Sequence, residues 1–333
     1  EQKITALQMG VWVLHCPQIY LMDFLGILFG IILLSQGGDL LTKSSVDISL
    51  KLSIPKIIIG MTVVSFATSA PELIVSLNAT LDGLPNFAIG NVLGSNIANI
   101  GLVLGIITII YPIKLKQRFY NTDFPLLLIS TGLFYYIIYT GNQISRNEGF
   151  VLVILIIFIL SYLFFYQRNN ADEFSDELNK NNISIYKSFL FIFFSGSLLW
   201  LGSETLIKSA VSVANKFEIS ERIISITMVA IGTSIPELAA SVVASLKKQN
   251  DLSIGNLIGS NIFNLLVVIG ITSSIISING IEDGLIYNDM LWVVLFSIII
   301  LPLAYMKRRN VLTRKKGIML LVLYLIFIIP LLR

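Results

Sequence analysis

Long apolar stretches separated by short polar segments recur along the whole chain. An α-helix needs about 18 to 25 apolar residues to cross roughly 30 Å of hydrocarbon. Runs of that kind occupy positions 24–43, 56–81, 86–111, 123–141, 149–166, 188–212, 223–246, 252–277, 288–306 and 315–332. The pattern predicts an all-α membrane protein with ten transmembrane helices.

The longest polar segment between these runs, 167–187, divides the predicted helices into two sets of five. It is too short to fold as a domain, so we expect a first five-helix unit over 22–166, a linker over 167–187 and a second unit over 188–333. Residues 1–21 do not begin with Met and lack the features of a signal peptide. We interpret them as an N-terminal extension, either foreign to the protein or a short ordered addition.

The two sets of five are copies of one another. A shift of 165 residues aligns GMTVVSFATSAPELIVSLNATL with SITMVAIGTSIPELAASVVASL. The same shift aligns the next segment, AIGNVLGSNIANIGLVLG, with SIGNLIGSNIFNLLVVIG without a gap. Internal repeats of this length indicate duplicated structural units. Because each copy has an odd number of spans, the second enters the membrane from the opposite side, which predicts two inverted five-helix repeats.

Composition excludes several classes of function. The chain is 55% hydrophobic and only 13% charged, and its net charge of +3 gives no reason to expect a nucleic-acid partner. A single Cys and a single His leave no disulfide, zinc cluster or His-based catalysis to propose. We therefore expect no enzyme, no cofactor and no obligatory protein partner, only the bilayer and small ions.

The Lys and Arg residues are concentrated in the loops after the odd-numbered spans, for example Lys114, Lys116 and Lys247. Loops rich in Lys and Arg usually face the cytoplasm. We therefore expect a multi-pass protein of the plasma membrane, or inner membrane, with the linker 167–187 inside and both termini outside.

Each copy carries one carboxylate in an apolar span, Glu72 and Glu237. An intramembrane charge costs several kcal/mol unless it is paired or solvated. Glu72 and Ser95 lie symmetrically about the turn DGLP, as Glu237 and Ser260 do about KKQN, about 17 Å from the membrane face at 1.5 Å per residue. The two pairs are thus expected to meet near the middle of the bilayer.

Hard oxygen donors surround both glutamates, which suits Ca²⁺ or Na⁺ rather than a transition metal. Proline lacks an amide hydrogen, so Pro71 and Pro236 are expected to break their helices and free backbone carbonyls at Ser65 and Ala230. The candidate ion ligands are Glu72, Glu237, Thr68, Thr233, Ser95, Ser260, Ser69, Ser234, Asn99, Asn264, Ser65 and Ala230.

The motifs FATSAPE (66–72) with GNVLGSNIAN (90–99), and IGTSIPE (231–237) with GNLIGSNIFN (255–264), resemble the α-repeats of the Ca²⁺/cation antiporter superfamily, closest to prokaryotic Na⁺/Ca²⁺ exchangers. The resemblance implies exchange of Na⁺ for Ca²⁺ by alternating access. It further implies that Glu72, Glu237 and the Thr and Ser residues at 68, 233, 95 and 260 are ligands, and that spans 1 and 6 slide across the others.

Other functions remain open at this point. A H⁺/Ca²⁺ antiporter could protonate the same glutamates, although such relatives typically carry GNxxE-type repeats. A K⁺-dependent exchanger typically has an aspartate at the position of Asn264. A passive channel could use the same oxygens, whereas an intramembrane enzyme would need a nucleophile, a metal-binding His or a nucleotide loop that we do not find.

Overall fold

The computed structural model of the protein describes residues 6–166, 184–217, 232–306 and 310–331. These segments contain ten helices, numbered in chain order: α1 (Ala6–Leu52), α2 (Lys56–Leu81), α3 (Pro85–Ile110), α4 (Phe119–Gly141), α5 (Arg146–Tyr166), α6 (Ile185–Lys216), α7 (Ile235–Leu246), α8 (Asn250–Ile275), α9 (Leu285–Tyr305) and α10 (Arg314–Leu331). Eight are long and apolar enough to cross a membrane. The remaining two, α7 and α10, complete the predicted set of ten, although residues 218–231 of the predicted seventh span lie outside the described residues.

Two of the helices are longer than the apolar pattern predicts. The spans of α1 and α6, Leu21–Leu52 and Ile185–Lys216, each contain 32 residues, which corresponds to about 48 Å at 1.5 Å per residue. In α1 the additional turns contain Ser44, Ser45 and Ser49, all buried within the protein. Hydropathy missed these turns because they are covered by protein rather than by lipid.

Helices α1 and α6 lie against each other through glycines. A Cβ atom on Gly30 would be 2.9 Å from the carbonyl oxygen of Gly202, and one on Gly202 would be 2.9 Å from the amide nitrogen of Leu34. Backbones approach this closely only where a side chain is missing. The first helix of one repeat is thus paired with the first helix of the other.

Helix α8 lies at the centre of the molecule, with 89% of its most apolar window buried, compared with 28% for α1 and α6. Its backbone lies directly against that of α2. A Cβ on Gly259 would be 2.5 Å from the Cα of Met61, and one on Gly60 would be 2.6 Å from the carbonyl oxygen of Leu252. The absence of a side chain at Gly259, which belongs to the motif GNLIGSN, is what permits this close packing.

Short extended segments tie the two repeats together at their loops. Strand β1 (Ile113–Lys114) pairs antiparallel with β2 (Val311–Leu312), with Ile113 opposite Leu312. A second bridge joins Ile144 to Ile278. Each pairing joins a residue of one repeat to a residue of the other, so the two units are connected through their loops as well as through helix packing.

Five helical stretches that lie wholly within the described residues have π-type hydrogen bonding, and the sequence pattern does not reveal them. They are Gly60–Val64 in α2, Asn99–Leu104 in α3, Phe119–Asp123 in α4, Asn264–Val268 in α8 and Leu285–Asp289 in α9. Four of them form two repeat-related pairs, and the pair in α3 and α8 begins at the candidate residues Asn99 and Asn264. Such segments are frequent at functional sites.

Candidate ion-binding site

The two motif copies meet at the centre of the molecule, where α2 and α3 of the first repeat contact α7 and α8 of the second. Both glutamate side chains are fully buried, as are Thr68, Ser95 and Ser260. Thr68 and Glu72 stand four residues apart on one face of α2, and Ser95 and Asn99 do the same on α3. Helical periodicity therefore directs the candidate side chains of each helix toward one region.

The carboxylate of Glu237 is held by hydroxyl groups from two other helices. Ser69 Oγ of α2 donates to Glu237 Oε1 at 3.0 Å, and Ser260 Oγ of α8 donates to the same oxygen at 3.5 Å. Thr68 Oγ1 lies 3.3 Å from Ser260 Oγ. Residues of the first repeat thus complete the surroundings of the second repeat's glutamate.

The repeat-related side of the site is organised differently. Thr233 Oγ1 and Ser95 Oγ share a hydrogen bond of 2.8 Å, the counterpart of the contact between Thr68 and Ser260. Neither oxygen of Glu72, however, has a hydrogen-bond partner among the described residues. The two carboxylates are related by the repeat, yet within the described ranges side chains donate hydrogen bonds to Glu237 and not to Glu72.

Several further oxygen atoms of the site are buried and have no hydrogen-bond partner in the part of the chain that the structure describes: Glu237 Oε2, Asn99 Oδ1, Asn264 Oδ1 and Ser234 Oγ. Glu72 and Glu237 also lie close enough to repel each other. In the part of the chain that the structure describes, no Lys or Arg forms an ion pair with either carboxylate. Two buried carboxyl groups without a positively charged protein partner must be neutralised by a bound cation or by protons.

The donor set fits a hard cation. All the unpaired atoms named above are oxygens of carboxylate, hydroxyl or amide groups, the ligands that Ca²⁺ and Na⁺ prefer. Within the described ranges, no group of three or more His, Cys, Asp or Glu side chains is placed to hold a metal ion. The site therefore offers two charges and several neutral oxygens.

The predicted helix break at Pro71 is wrong. The helix runs continuously from Ser65 to Leu81 with Pro71 inside it. The missing proline amide leaves the carbonyl of Ala67, four residues earlier, without its intrahelical donor. In the second repeat the prediction is confirmed, because α7 begins at Ile235 with Pro236 in its first turn and Ser234 preceding it in a non-helical conformation.

The two predicted carbonyl ligands are not both described. The carbonyl of Ser65 accepts a hydrogen bond from Thr68 Oγ1 at 3.4 Å, while its hydroxyl donates to the carbonyls of Gly60 and Asn256. Ala230 lies outside the described residues. The other ten candidates offer side-chain oxygens, and the fold brings them to the same region.

Sequence analysis did not single out four buried asparagines that brace the site. Asn96 and Asn261 each donate an amide hydrogen to the other's backbone carbonyl at 3.2 Å, across the contact between α3 and α8. Asn99 Nδ2 donates to Asn261 Oδ1 at 3.0 Å. Asn96 and Asn261 occur at the same position of the GSN motif in the two copies, and this repetition is the sequence signal that identifies them.

The other two asparagines link each glutamate helix to its neighbour. Asn91 donates to Ser76 at 3.1 Å, and Asn256 donates to Ser241 at 3.0 Å. Ser76 and Ser241 lie one helical turn beyond Glu72 and Glu237. These bonds therefore fix the spacing between each glutamate-bearing helix and the following helix.

Comparisons with known proteins agree with this architecture. Residues 22–165 and 187–332 match the family model described as sodium/calcium exchanger protein. The chain is 36% identical over 251 residues to the putative antiporter CaxA of Alkalimonas amylolytica, covering 74% of this chain and 78% of that protein. It is 27% identical over 351 residues to the sodium/calcium exchanger MaX1 of Methanosarcina acetivorans, covering 93% and 98%.

A solved structure gives the same result. The sodium-calcium exchanger NCX_Mj, soaked without Na⁺ and Ca²⁺, superposes with a TM-score of 0.77 at 30% sequence identity, covering 92% of this chain and 97% of that chain. The likeness extends over both repeats, so the inverted ten-helix architecture is shared. This chain is a multi-pass membrane protein that belongs to the sodium/calcium exchanger family.

Proposed function

We propose that the protein is a secondary antiporter that exchanges Na⁺ for Ca²⁺, with the ions bound between Glu72 and Glu237 at the middle of the membrane. The observation that carries this proposal is the pair of fully buried glutamates, one from each repeat, without a positively charged partner among the described residues. Two carboxylates balance the charge of one Ca²⁺, and Na⁺ can use the same oxygens.

Competition for these oxygens supports exchange rather than independent transport of the two ions. Ser69 and Ser260 already donate to Glu237, so an ion there uses the unpaired Oε2, together with both oxygens of Glu72. Na⁺ and Ca²⁺ bound at the same two carboxylates weaken each other's binding, because both draw on the same negative charges. Binding of Na⁺ therefore promotes release of Ca²⁺, which is the requirement for antiport.

The inverted repeats support alternating access. Sites at the interface of two inverted repeats are reached from either side by motion of one group of helices against the other. Helices α1 and α6 pair closely at Gly30 and Gly202, outside the central helices. We infer that this pair moves as a unit while the strand pairing and the Asn96–Asn261 bonds hold the remainder together.

Orientation is part of the same proposal. The Lys and Arg residues in the loops after the odd-numbered spans favour a plasma-membrane protein with the linker 167–187 in the cytoplasm and both termini outside. No cofactor and no obligatory protein partner enters this proposal, since the bound ions supply all the charge that the site requires.

The test is uptake of radiolabelled Ca²⁺ into proteoliposomes under an imposed Na⁺ gradient, compared with an imposed pH gradient. We expect uptake to follow the Na⁺ gradient and to disappear when the gradient is collapsed. Uptake driven by the pH gradient alone would show a H⁺/Ca²⁺ antiporter instead. Uptake that needs neither gradient would indicate a passive channel.

A further inference from the structure

A large apolar cleft lies on the membrane-facing side of α2, away from the ion site. Its volume is about 680 Å³, and residues of α2, α5, α6 and α8 line it, among them Phe66, Leu160, Phe193, Trp200 and Phe263. The aromatic side chains at its rim are exposed, Phe193 to 76% and Phe66 to 55%. In a membrane-spanning protein this surface faces hydrocarbon, so the cleft opens to the bilayer.

The lining offers almost nothing to a polar ligand. Its two hydroxyl groups are both engaged within their own helices, since Thr62 Oγ1 donates to the carbonyl of Ile58 at 2.7 Å and Ser197 Oγ donates to the carbonyl of Phe193 at 3.1 Å. Among the described residues, none with a charged side chain lines the cleft. Ordered water needs polar partners, so water does not fill this space.

An unfilled cleft of this size would leave its lining without dispersion contacts on one side. Material that can supply them is present all around the protein, because the rim is continuous with the lipid-facing surface. The linker 167–187 is mostly polar, with Phe174 and Tyr186 as its two aromatic residues, and is a poor alternative occupant. A lipid acyl chain is flexible, apolar and able to enter from the side.

The ends of the helices around the cleft indicate which lipid binds. Leu160 and Phe164 lie near the end of α5, and Phe189 lies near the beginning of α6. Tyr186, which is 83% exposed, stands seven residues before Phe193 and so on the same helical face, with Lys187 next to it. Tyr and Lys at a membrane interface suit a phosphate head group of an anionic lipid.

We infer that the cleft between α2 and α6 is a binding site for one acyl chain of an anionic phospholipid, with its head group at Tyr186 and Lys187. The chain packs on the back of the helix whose opposite face carries Thr68 and Glu72. Helices α2 and α6 touch beside the cleft, where a Cβ on Gly196 would be 3.3 Å from the carbonyl oxygen of Ala67. The lipid thus completes the packing between α6 and the site helix.

Trp200 lines the cleft and provides a direct reporter of binding. The chain contains three tryptophans, so Trp12→Phe and Trp292→Phe leave Trp200 as the sole tryptophan. The experiment measures quenching of Trp200 in phosphatidylcholine vesicles that contain brominated phosphatidylglycerol as a minor component. The matched control carries its sole tryptophan at Phe158→Trp, a lipid-facing position on α5 that does not line the cleft and is 68% exposed.

We expect Trp200 to be quenched more than the control reporter at the same content of brominated phosphatidylglycerol. Ser197→Phe fills the cleft and should abolish this excess, whereas Ser197→Ala, which removes the same hydroxyl without adding volume, should retain it. Equal quenching at the two positions, or an excess that survives Ser197→Phe, would overturn the binding site.

The head group is tested with the lipid types exchanged. Brominated phosphatidylcholine in phosphatidylglycerol vesicles should quench Trp200 less than brominated phosphatidylglycerol in phosphatidylcholine vesicles. Lys187→Gln should reduce this difference in quenching. Lys51→Gln, which changes an exposed lysine on α1, should not. Indifference of Trp200 to the head group would overturn the assignment to an anionic lipid. None of these measurements depends on ion exchange.

Discussion

Glu72→Gln is the substitution that tests the ion site most directly. The change keeps the size of the side chain and removes one negative charge. Glu72 is fully buried, and neither of its oxygens has a hydrogen-bond partner in the described structure. Its charge is therefore neutralised by a bound cation or by a proton rather than by a hydrogen-bond donor of the described residues, and the substitution should affect ion binding far more than folding.

The expected loss of affinity follows from the cost of breaking a buried charge pair. Removing one partner typically costs about 3 to 5 kcal/mol, which corresponds to a decrease in Ca²⁺ affinity of roughly two to three and a half orders of magnitude. At a Ca²⁺ concentration about 100 times the wild-type Kd, binding stabilises the wild-type protein by about 2.7 kcal/mol. With a 100-fold weaker Kd, the same concentration provides only about 0.4 kcal/mol.

The assay combines thermal unfolding in detergent, with Ca²⁺ and with a chelator, and Na⁺-driven Ca²⁺ uptake in proteoliposomes. We expect Glu72→Gln to lose both the Ca²⁺-dependent increase in Tm and the uptake. Its Tm in chelator should be at least as high as that of the wild type, because the repulsion between Glu72 and Glu237 is removed. Glu204→Gln is the matched control, since Glu204 is exposed and pairs with Lys208 at 2.8 Å.

A Glu72→Gln protein that retains the Ca²⁺-dependent Tm increase and normal uptake would refute the assignment. A large decrease of Tm in chelator would instead indicate that the carboxylate has a structural role. Glu237→Gln should give the same loss of Ca²⁺ binding without further destabilisation. The amide oxygen can still accept the hydrogen bonds that Ser69 and Ser260 donate to Glu237.

Three further predictions address ion selectivity, orientation and packing. Asn264 is neutral and its amide is unpaired, so uptake should not require K⁺, while Asn264→Asp should introduce K⁺ sensitivity; strict K⁺ dependence of the wild type would contradict this. With Cys16 replaced, a cysteine at Asn181 should be protected from an impermeant thiol reagent in intact cells and react after permeabilisation; labelling in intact cells would reverse the proposed orientation. Gly259→Ala places a Cβ 2.5 Å from the Cα of Met61 and should cost about 1 to 3 kcal/mol of stability, whereas Gly132→Ala, with open space around it, should leave the Tm unchanged or raised.

Much of this architecture could be predicted from the sequence because lipid imposes a simple rule. Each span must be apolar and long enough to cross the bilayer, so the ten helices are visible as hydropathy. The repeat is visible as a constant offset of 165 residues, and Glu72 and Glu237 stand out because charge is costly in an apolar span. These features depend only on the order of residues along one helix.

The tertiary structure decided which groups of the site are paired. The two motif copies are similar in sequence, yet Ser69 and Ser260 donate to Glu237 while Glu72 receives no hydrogen bond from the residues that the structure describes. The cross-bonds between Asn96 and Asn261, and the unbroken helix through Pro71, were likewise absent from the sequence prediction. Helical periodicity determines the direction of a side chain from its own axis, whereas its partners depend on how helices of different repeats are placed. Repeated sequence cannot specify how the symmetry between the copies is broken, so only the packed structure shows it.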